Sequence, residues 1–498
     1  MKEKLSELKD YIKNIDHVEQ AVALVYWDMR TTAPKKALEQ RGELLAYLSA
    51  EAYKLKTSDA AKELIEYFGP LMGKLDLVDK AMVEKFKKNY DEVKKIPQDR
   101  FREFMLATAK SEVAWEEAKE KSDYEIFKPH LKKIIDFKKE FIEYKGYNEN
   151  KYDALLDDFE EGITVSKLDN VFSELRDAIV DLLDRIKASD IKINTEFMKD
   201  NYSKKEQDKF GRFVLGIMGY DFEAGRLDES VHPFTLNIGN KDVRLTTHYY
   251  ENDLKSALFS TIHEGGHGIY EQNIPDELLG TGLAAGASMG IHESQSRFYE
   301  NILGRSTDFW TYLYPYAQDS FPGLKNIRFN DFYKAINFVE PSLIRTEADE
   351  LTYSLHIIIR YEIEKDLIND KITVDDLPKV WAEKYKEYLG VEPSSDSEGV
   401  LQDMHWSDGS FGYFPSYALG NLYGAQMLNK LKSDVPNIYE ELQKGNMKPI
   451  YEWLKDNVHR YGAIYKPAEL IYKVTGEELT AKYFIDYLRE KYSRIYEL

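Results

Sequence analysis

Apolar residues recur at three- and four-residue intervals through most of this chain, a period that admits helices packed side by side and little else. Ala37–Leu55, Val78–Ile96, Arg100–Lys121 and Ser166–Ser189 each carry such a stripe, with Ser166 or Asp169 the expected N-cap of the last. Phe104 and Trp115 fall on these stripes and read as core. One stretch breaks the rhythm. In "HPFTLNIGNKDVRLTTHYYE" (His232–Glu251), Val243, Leu245 and Thr247 alternate with Arg244, Thr246 and His248, as in a strand with one buried face. "NIGN" supplies the turn into that strand. The helical period returns after Asp253, and Pro341, Pro378 and Pro393 punctuate a C-terminal half that is again helical. No fixed-period repeat occurs. The fold class expected is mainly α, with one small β-sheet.

At 498 residues the chain exceeds the size of one compact core, so two lobes or a single large domain around a groove is expected. Its 88 acidic against 68 basic residues give a net charge of -20, which argues against a nucleic-acid surface or a polybasic membrane anchor. With no cysteine, disulfides, thiolate metal sites and cysteine nucleophiles are excluded. The first residues lack the apolar run of a signal peptide, and no window approaches a membrane span. A cytoplasmic location, with no nucleic-acid or membrane partner, is the expectation.

The sharpest signal is "STIHEGGHGIYEQ", where Gly265 and Gly266 interrupt a helical pattern. Each glycine costs a helix roughly 1 kcal/mol relative to alanine. His263 and His267, four residues apart, project from one helical face, and Glu264 stands beside the first. H-E-x-x-H fits a zinc peptidase, with two imidazoles on the metal and a carboxylate to activate water. Metal binding offsets the glycine penalties, and glycine also lets a neighbouring backbone approach. Such a site needs a third protein ligand. Glu271 lies eight residues from His263, ~12 Å along the axis, too far to join it. Glu277 falls in a loop, Glu293 in the helical stretch "GIHESQSRFYE", and Glu300 beyond it. Spacing does not choose among these three.

The motifs occur in a fixed order. "HPF" is His232–Phe234, D-x-R-x-T is Asp242, Arg244 and Thr246, and "HEGGH" is followed by "HESQS" at His292–Ser296. "IRTEADELTY" spans Ile344–Tyr353, and G-x-x-Q-D-x-H-W is Gly399, Gln402, Asp403, His405 and Trp406. In this order the chain resembles the carboxypeptidase Taq family of thermostable metallocarboxypeptidases. The resemblance implies Glu293 as the third ligand beside His263 and His267, and Glu264 as general base and proton shuttle. It implies a two-lobed helical fold similar to neurolysin and angiotensin-converting enzyme, with a deep groove and the sheet beside the HExxH helix. Residues 1–498 would form a single peptidase domain, with 1–225 a helical lobe without motifs and 226–498 the metal-bearing catalytic part. It further implies a homodimer that removes single C-terminal residues from peptides, with broad specificity but poor action on C-terminal proline. The cofactor would be one zinc ion (Zn2+) per chain, with cobalt (Co2+) the alternative. Related strands often carry Arg where this chain has His248.

Other roles follow from the chemistry. A tetrahedral intermediate needs a donor besides the metal; His405 is the first choice, with Tyr417 and Tyr413 behind it. A free C-terminal carboxylate suits an arginine fork: Arg345 leads, and Arg244 and Arg297 compete. Arg244 could instead pair with Asp242, and Arg297 could be a helix-surface charge. Tyr413 counts with the substrate-binding residues. Asp349 and Asp403 read as acceptors that orient a histidine, and His292 as a donor behind the metal. His232 fixes a turn near the strand, and Val243–His248 could receive a peptide as an added strand. His17, His130 and His459 have no convergent partners. The rivals are a zinc endo-oligopeptidase or dipeptidyl carboxypeptidase, and a helical interaction scaffold with a vestigial metal site.

Overall fold

The computed structural model describes residues 1–498. Its helices include α1 (Lys2–Thr31), α2 (Leu38–Lys56), α3 (Leu77–Lys95), α4 (Gln98–Lys121), α5 (Tyr124–Lys145), α6 (Val165–Ala188) and α7 (Lys204–Met218). The four helices read from periodicity lie within two residues of their expected bounds. The cap of α6 is corrected: Thr164, not Ser166 or Asp169, accepts from the Lys167 amide at 3.3 Å. Asp169 instead accepts from the Tyr361 hydroxyl at 2.7 Å.

The sheet has three strands, β1 (Gly225–Glu229), β2 (Thr235–Gly239) and β3 (Asp242–Thr247), in the order β1–β3–β2. β1 runs parallel to β3 and β2 antiparallel to it. The polar β1, "GRLDE", gives no alternation signal; it is a strand because its backbone pairs with β3. Val243, Leu245 and Thr247 are buried as expected, and so is Thr246, whose hydroxyl is bonded to Ser230 Oγ at 2.7 Å and accepts from the Phe234 amide at 2.9 Å. β3 is the central strand. That corrects the expectation that it receives a peptide, because both of its edges are already paired. The outer edge of β2 carries no strand.

Two helices cross behind the sheet, α8 (Leu254–Gln272) and α9 (Met289–Arg297), and α10 (Pro415–Asp434) packs along α9. One apolar core of 103 buried residues runs from α4 to the C-terminal helix. A separate cluster of 14 joins α1, residues 61–68 and α3 to Ile274, Leu278 and Leu283, just beyond α8. The first helices therefore stand as a wall beside the HEGGH segment rather than inside the main core. No helix is long and apolar enough to cross a membrane.

Candidate metal centre

Asp253 begins α8: its carboxylate accepts from the amides of Lys255 and Ser256 at 2.9 and 3.2 Å. Two turns on, His263 and His267 project together, their rings 4.9 Å apart. Ser288 starts α9 in the same way, accepting from the Ile291 amide at 3.0 Å. α9 crosses α8 at Gly266, where a Cβ would stand 2.6 Å from the Gln295 carbonyl oxygen and 2.7 Å from Ser296 Cα. On the opposite side, a Cβ at Gly420 of α10 would stand 2.7 Å from Glu293 Cβ. Glu293 is thus pressed toward the histidines between two backbones that glycine allows to come close. Glu293 Oε2 lies 3.7 Å from His263 Nε2 and 3.5 Å from His267 Nε2. All three ligand atoms fall within 4.8 Å of one another. In a tetrahedral site with bonds of ~2.1 Å, ligand atoms are about 3.4 Å apart, so the trio fits a zinc-sized ion.

A second layer of groups orients these ligands. His263 Nδ1 donates to Glu300 Oε2 at 2.8 Å, leaving Nε2 for a metal. His267 Nδ1 meets His292 Nδ1 at 2.6 Å, and His292 Nε2 meets Glu271 Oε1 at 2.6 Å. A carboxylate only accepts, so His292 donates from Nε2, its Nδ1 accepts, and His267 carries its proton on Nδ1. The chain Glu271–His292–His267 therefore also frees Nε2. Arg297 donates to Glu293 Oε1 at 2.7 Å and Glu300 Oε2 at 3.0 Å, with its guanidinium 4.3 Å from the Tyr353 ring. Burial alone would raise the Glu293 carboxyl, but Arg297 and the two histidines outweigh it and hold it well below the usual range. Burial lowers His267 to about 3, keeping it neutral as a ligand must be. Burial also works against protonated His263, yet Glu293 and Glu300 outweigh it and raise it above its ordinary value.

Glu264 is buried, and burial raises its carboxyl above the ordinary value despite His263 and Thr235. Thr235 of β2 donates to Glu264 Oε2 at 2.6 Å, so Oε1 is the free oxygen. The sheet thus sets the rotamer of the acid beside the triad.

A buried charge cluster lies on the Arg297 side. Arg345 donates to Asp403 from Nε at 3.0 Å and pairs with it through Nη2 at 2.9 Å, while Nη1 donates to Tyr353 Oη at 3.1 Å. Its guanidinium is 5.0 Å from the Tyr417 ring. Arg360 holds the other Asp403 oxygen, from Nε at 2.6 Å, so two arginines outweigh burial and depress Asp403 far below the carboxylate range. His405 Nε2 sits 3.3 Å from Tyr417 Oη, and its Nδ1 is buried with no partner. Burial, with Arg345 and Arg360, lowers His405 to about 4. Burial raises the Tyr413 and Tyr417 hydroxyls, and the Glu293 charge adds to both.

The carboxypeptidase Taq (M32) metallopeptidase family model matches residues 7–492. The chain is 50% identical over 493 residues to Carboxypeptidase 1 of Bacillus subtilis, covering 99% of this chain and 98% of that protein. It is 40% identical to Thermostable carboxypeptidase 1 of Thermus thermophilus, covering 95% of each. Among solved structures, the M32 carboxypeptidase from Deinococcus radiodurans superposes with a TM-score of 0.97 at 34% identity, covering 99% of this chain and 100% of that one. The chain belongs to the M32 family. It is a metal-dependent carboxypeptidase, a hydrolase that acts on peptides.

For an M32 chain, several expectations need correction. Asp349 orients no histidine; it accepts from the Leu351, Thr352 and Glu340 amides and the Thr352 hydroxyl, closing a turn. Asp403 likewise bonds arginines, not a histidine. Arg244 donates twice to Asp242, at 2.7 Å each, and stands 5.4 Å from the Trp27 ring. Arg297 is no surface charge. Glu300 lies behind His263 rather than among the ligands. His248 donates from Nδ1 to the Ser230 carbonyl at 2.8 Å and fixes the strand end. His459 has partners after all: its Nε2 is 2.9 Å from Gln295 Oε1, and Asn273 lies 3.2 Å from its Nδ1. His232 is exposed, its carbonyl accepting from Ser230 Oγ at 2.6 Å. His17 is exposed and His130 partly so. Spacing weighs Glu271 and Glu300 only as third ligands and does not single out Thr235; their supporting roles are not readable from periodicity, because each becomes a neighbour only where helices and sheet cross.

Proposed function

We propose that this enzyme removes single residues from peptide C-termini using one zinc ion held by His263, His267 and Glu293, with cobalt the alternative metal. The single observation that carries the reading is the buried Glu264 carboxyl, aimed by Thr235 beside a His–His–Glu triad of tetrahedral spacing. Bound zinc supplies Lewis acidity to the scissile carbonyl and to water. Glu264 Oε1 takes the proton from the attacking water and returns it to the leaving amine. Neutral His405, with Tyr417, donates to the oxygen that gains charge, and Tyr413 bounds the same space. Arg345 reads the terminal carboxylate. Of its five N–H groups three are engaged, leaving one on Nη1 and one on Nη2. Asp403 holds that fork in place. His292 with Glu271, and Glu300, keep the ligand tautomers. C-terminal proline is a poor substrate, since its nitrogen has no N–H to be held.

We also propose one peptidase domain over residues 1–498, with 1–225 as one lobe of a groove and 226–498 as the metal-bearing part. A homodimer is proposed on the family resemblance, and a cytoplasmic location on the lack of an apolar membrane span; sedimentation and cell fractionation test them.

The deciding experiment is mass spectrometry of products from a mixed peptide library, with and without chelator, beside a set of C-terminally amidated peptides. A ladder of single-residue losses, abolished by chelator, by amidation and by Glu264→Gln with metal content retained, is the expected result. Equal cleavage of amidated peptides would replace this reading with an endopeptidase.

A further inference from the structure

A cavity of about 290 Å³ opens between the wall of N-terminal helices and the far end of β2. Ile12, Ile15 and Asp16 of α1 line one side, Asn237 to Asn240 another, and the loop 279–285 after α8 a third. A chain of hydrogen bonds links the cavity wall to the metal centre. Asn237 in its wall donates to Glu271, which accepts from His292, which in turn holds His267. The cluster of Arg345, His405 and Tyr417 connects to the centre by a separate route, through Glu293, Arg297 and Tyr353.

The charges in the cavity are unequal in their partners. Glu19 is paired with Lys56. Lys85, on α3 beside α1, lines the same cavity and forms no ion pair. Asp16 is half-buried and forms no hydrogen bond and no ion pair within the chain. Burial, reinforced by Glu19, pushes it up to about 6 against the pull of His17 and Lys56. An incoming ammonium would pair with its carboxylate through a charge-assisted hydrogen bond.

Strand geometry gives the reach. Thr235 touches Glu264 at the reacting end of β2, and Gly239 lies in the cavity wall. Four residues of strand cover ~13 Å. A peptide extended along the unpaired edge of β2, its C-terminal residue beyond the metal toward Arg345, would place its fourth residue before the scissile bond in the cavity.

We propose that this cavity is a binding site for a primary ammonium group, the free N-terminus of a peptide of about five residues, with Asp16 as its charge partner. The assignment rests on the carboxypeptidase reading for the direction of the peptide. Both ends of a short substrate would then be read, the carboxylate on the Arg345 side and the ammonium on the α1 wall. Preference for one length follows, because only that length satisfies both.

The test compares peptides of three to eight residues, each with a free or an acetylated N-terminus. A third set is acetylated and carries lysine four residues before the scissile bond. The kcat/KM ratio of free to acetylated peptide should peak near five residues at about tenfold, and fall to about one in Asp16→Asn. Each protein serves as its own reference, so a loss of folded enzyme cancels in the ratio. If the lysine set regains the lost rate, the site reads any primary ammonium; if it does not, the N-terminus is the source. A ratio near one at every length, or a peak unchanged in Asp16→Asn, overturns the proposal. The same free-to-acetylated ratio is read from calorimetric Kd values on Glu264→Gln. Failure to hydrolyse any peptide would sink the carboxypeptidase reading, while the Kd ratio would still decide the ammonium site.

Discussion

At the scale of single residues, the centre depends on protons as much as on ligand atoms. His263 and His267 present Nε2 to a metal only if Nδ1 keeps its proton, and Glu300 and, through His292, Glu271 are the acceptors that secure this. Glu300→Gln and Glu271→Gln should each weaken metal affinity roughly 10- to 100-fold, with Glu300→Gln the stronger because it touches a ligand directly. Competition against a chromophoric chelator measures both. Equal affinity in the two variants and the parent would show that packing, not these acceptors, fixes the rings. The ligand pair was legible in the sequence from its spacing on one helix. Its acceptors were not: Glu271 was discarded as a ligand for its distance along the axis, a correct argument that hid its role behind His292.

At the scale of elements, the paired glycines of α8 turn out to be contact surfaces. Gly265 faces Leu215 of α7, and Gly266 faces the α9 backbone. The helix penalty is offset because closeness there brings Glu293 to within 3.5 Å of His267. Gly266→Ala places a methyl against backbone, which cannot rotate away, so a loss on the order of 1–3 kcal/mol is expected. Thermal unfolding should show it, and metal affinity should fall with it because α9 is pushed off. A Gly266→Ala enzyme with parental Tm and affinity would remove this account of the glycines. The strand error has its cause in the sheet. Alternation identified β3 correctly, but whether a strand is central or at an edge depends on β1 and β2, and β1 carries a polar sequence with no pattern of its own.

At the scale of the whole molecule, one buried carboxyl ties the end of the N-terminal region to the catalytic helices. Glu160 accepts from the Gly290 amide at 3.0 Å, in the first turn of α9, and from Tyr423 of α10 at 2.9 Å. Burial pushes it from 4.5 up to about 7, in spite of those donors. The folded protein therefore holds a proton between about pH 4.5 and 7 that the unfolded chain has lost. Stability falls as pH rises through that window, by at most about 1.4 kcal/mol per pH unit for one group. Glu364, also raised to about 7 by burial, adds in the same direction. Glu160→Gln should flatten the decline of Tm between pH 5 and 7, and an unchanged slope would assign the dependence elsewhere.

The sequence by itself determined the helical class, the place of the sheet, the two histidines with their adjacent carboxylate and, through ordered motifs, the family. These features are local: a period, a spacing or a linear order is written along the chain and needs no partner. Only tertiary structure decided that Glu293 reaches the pair, that β3 is enclosed, that Asp403 serves arginines, and that Asp16 lines a cavity with no hydrogen bond of its own. Each of those depends on which surfaces meet, and residues far apart in sequence become neighbours only when packing selects one crossing from many.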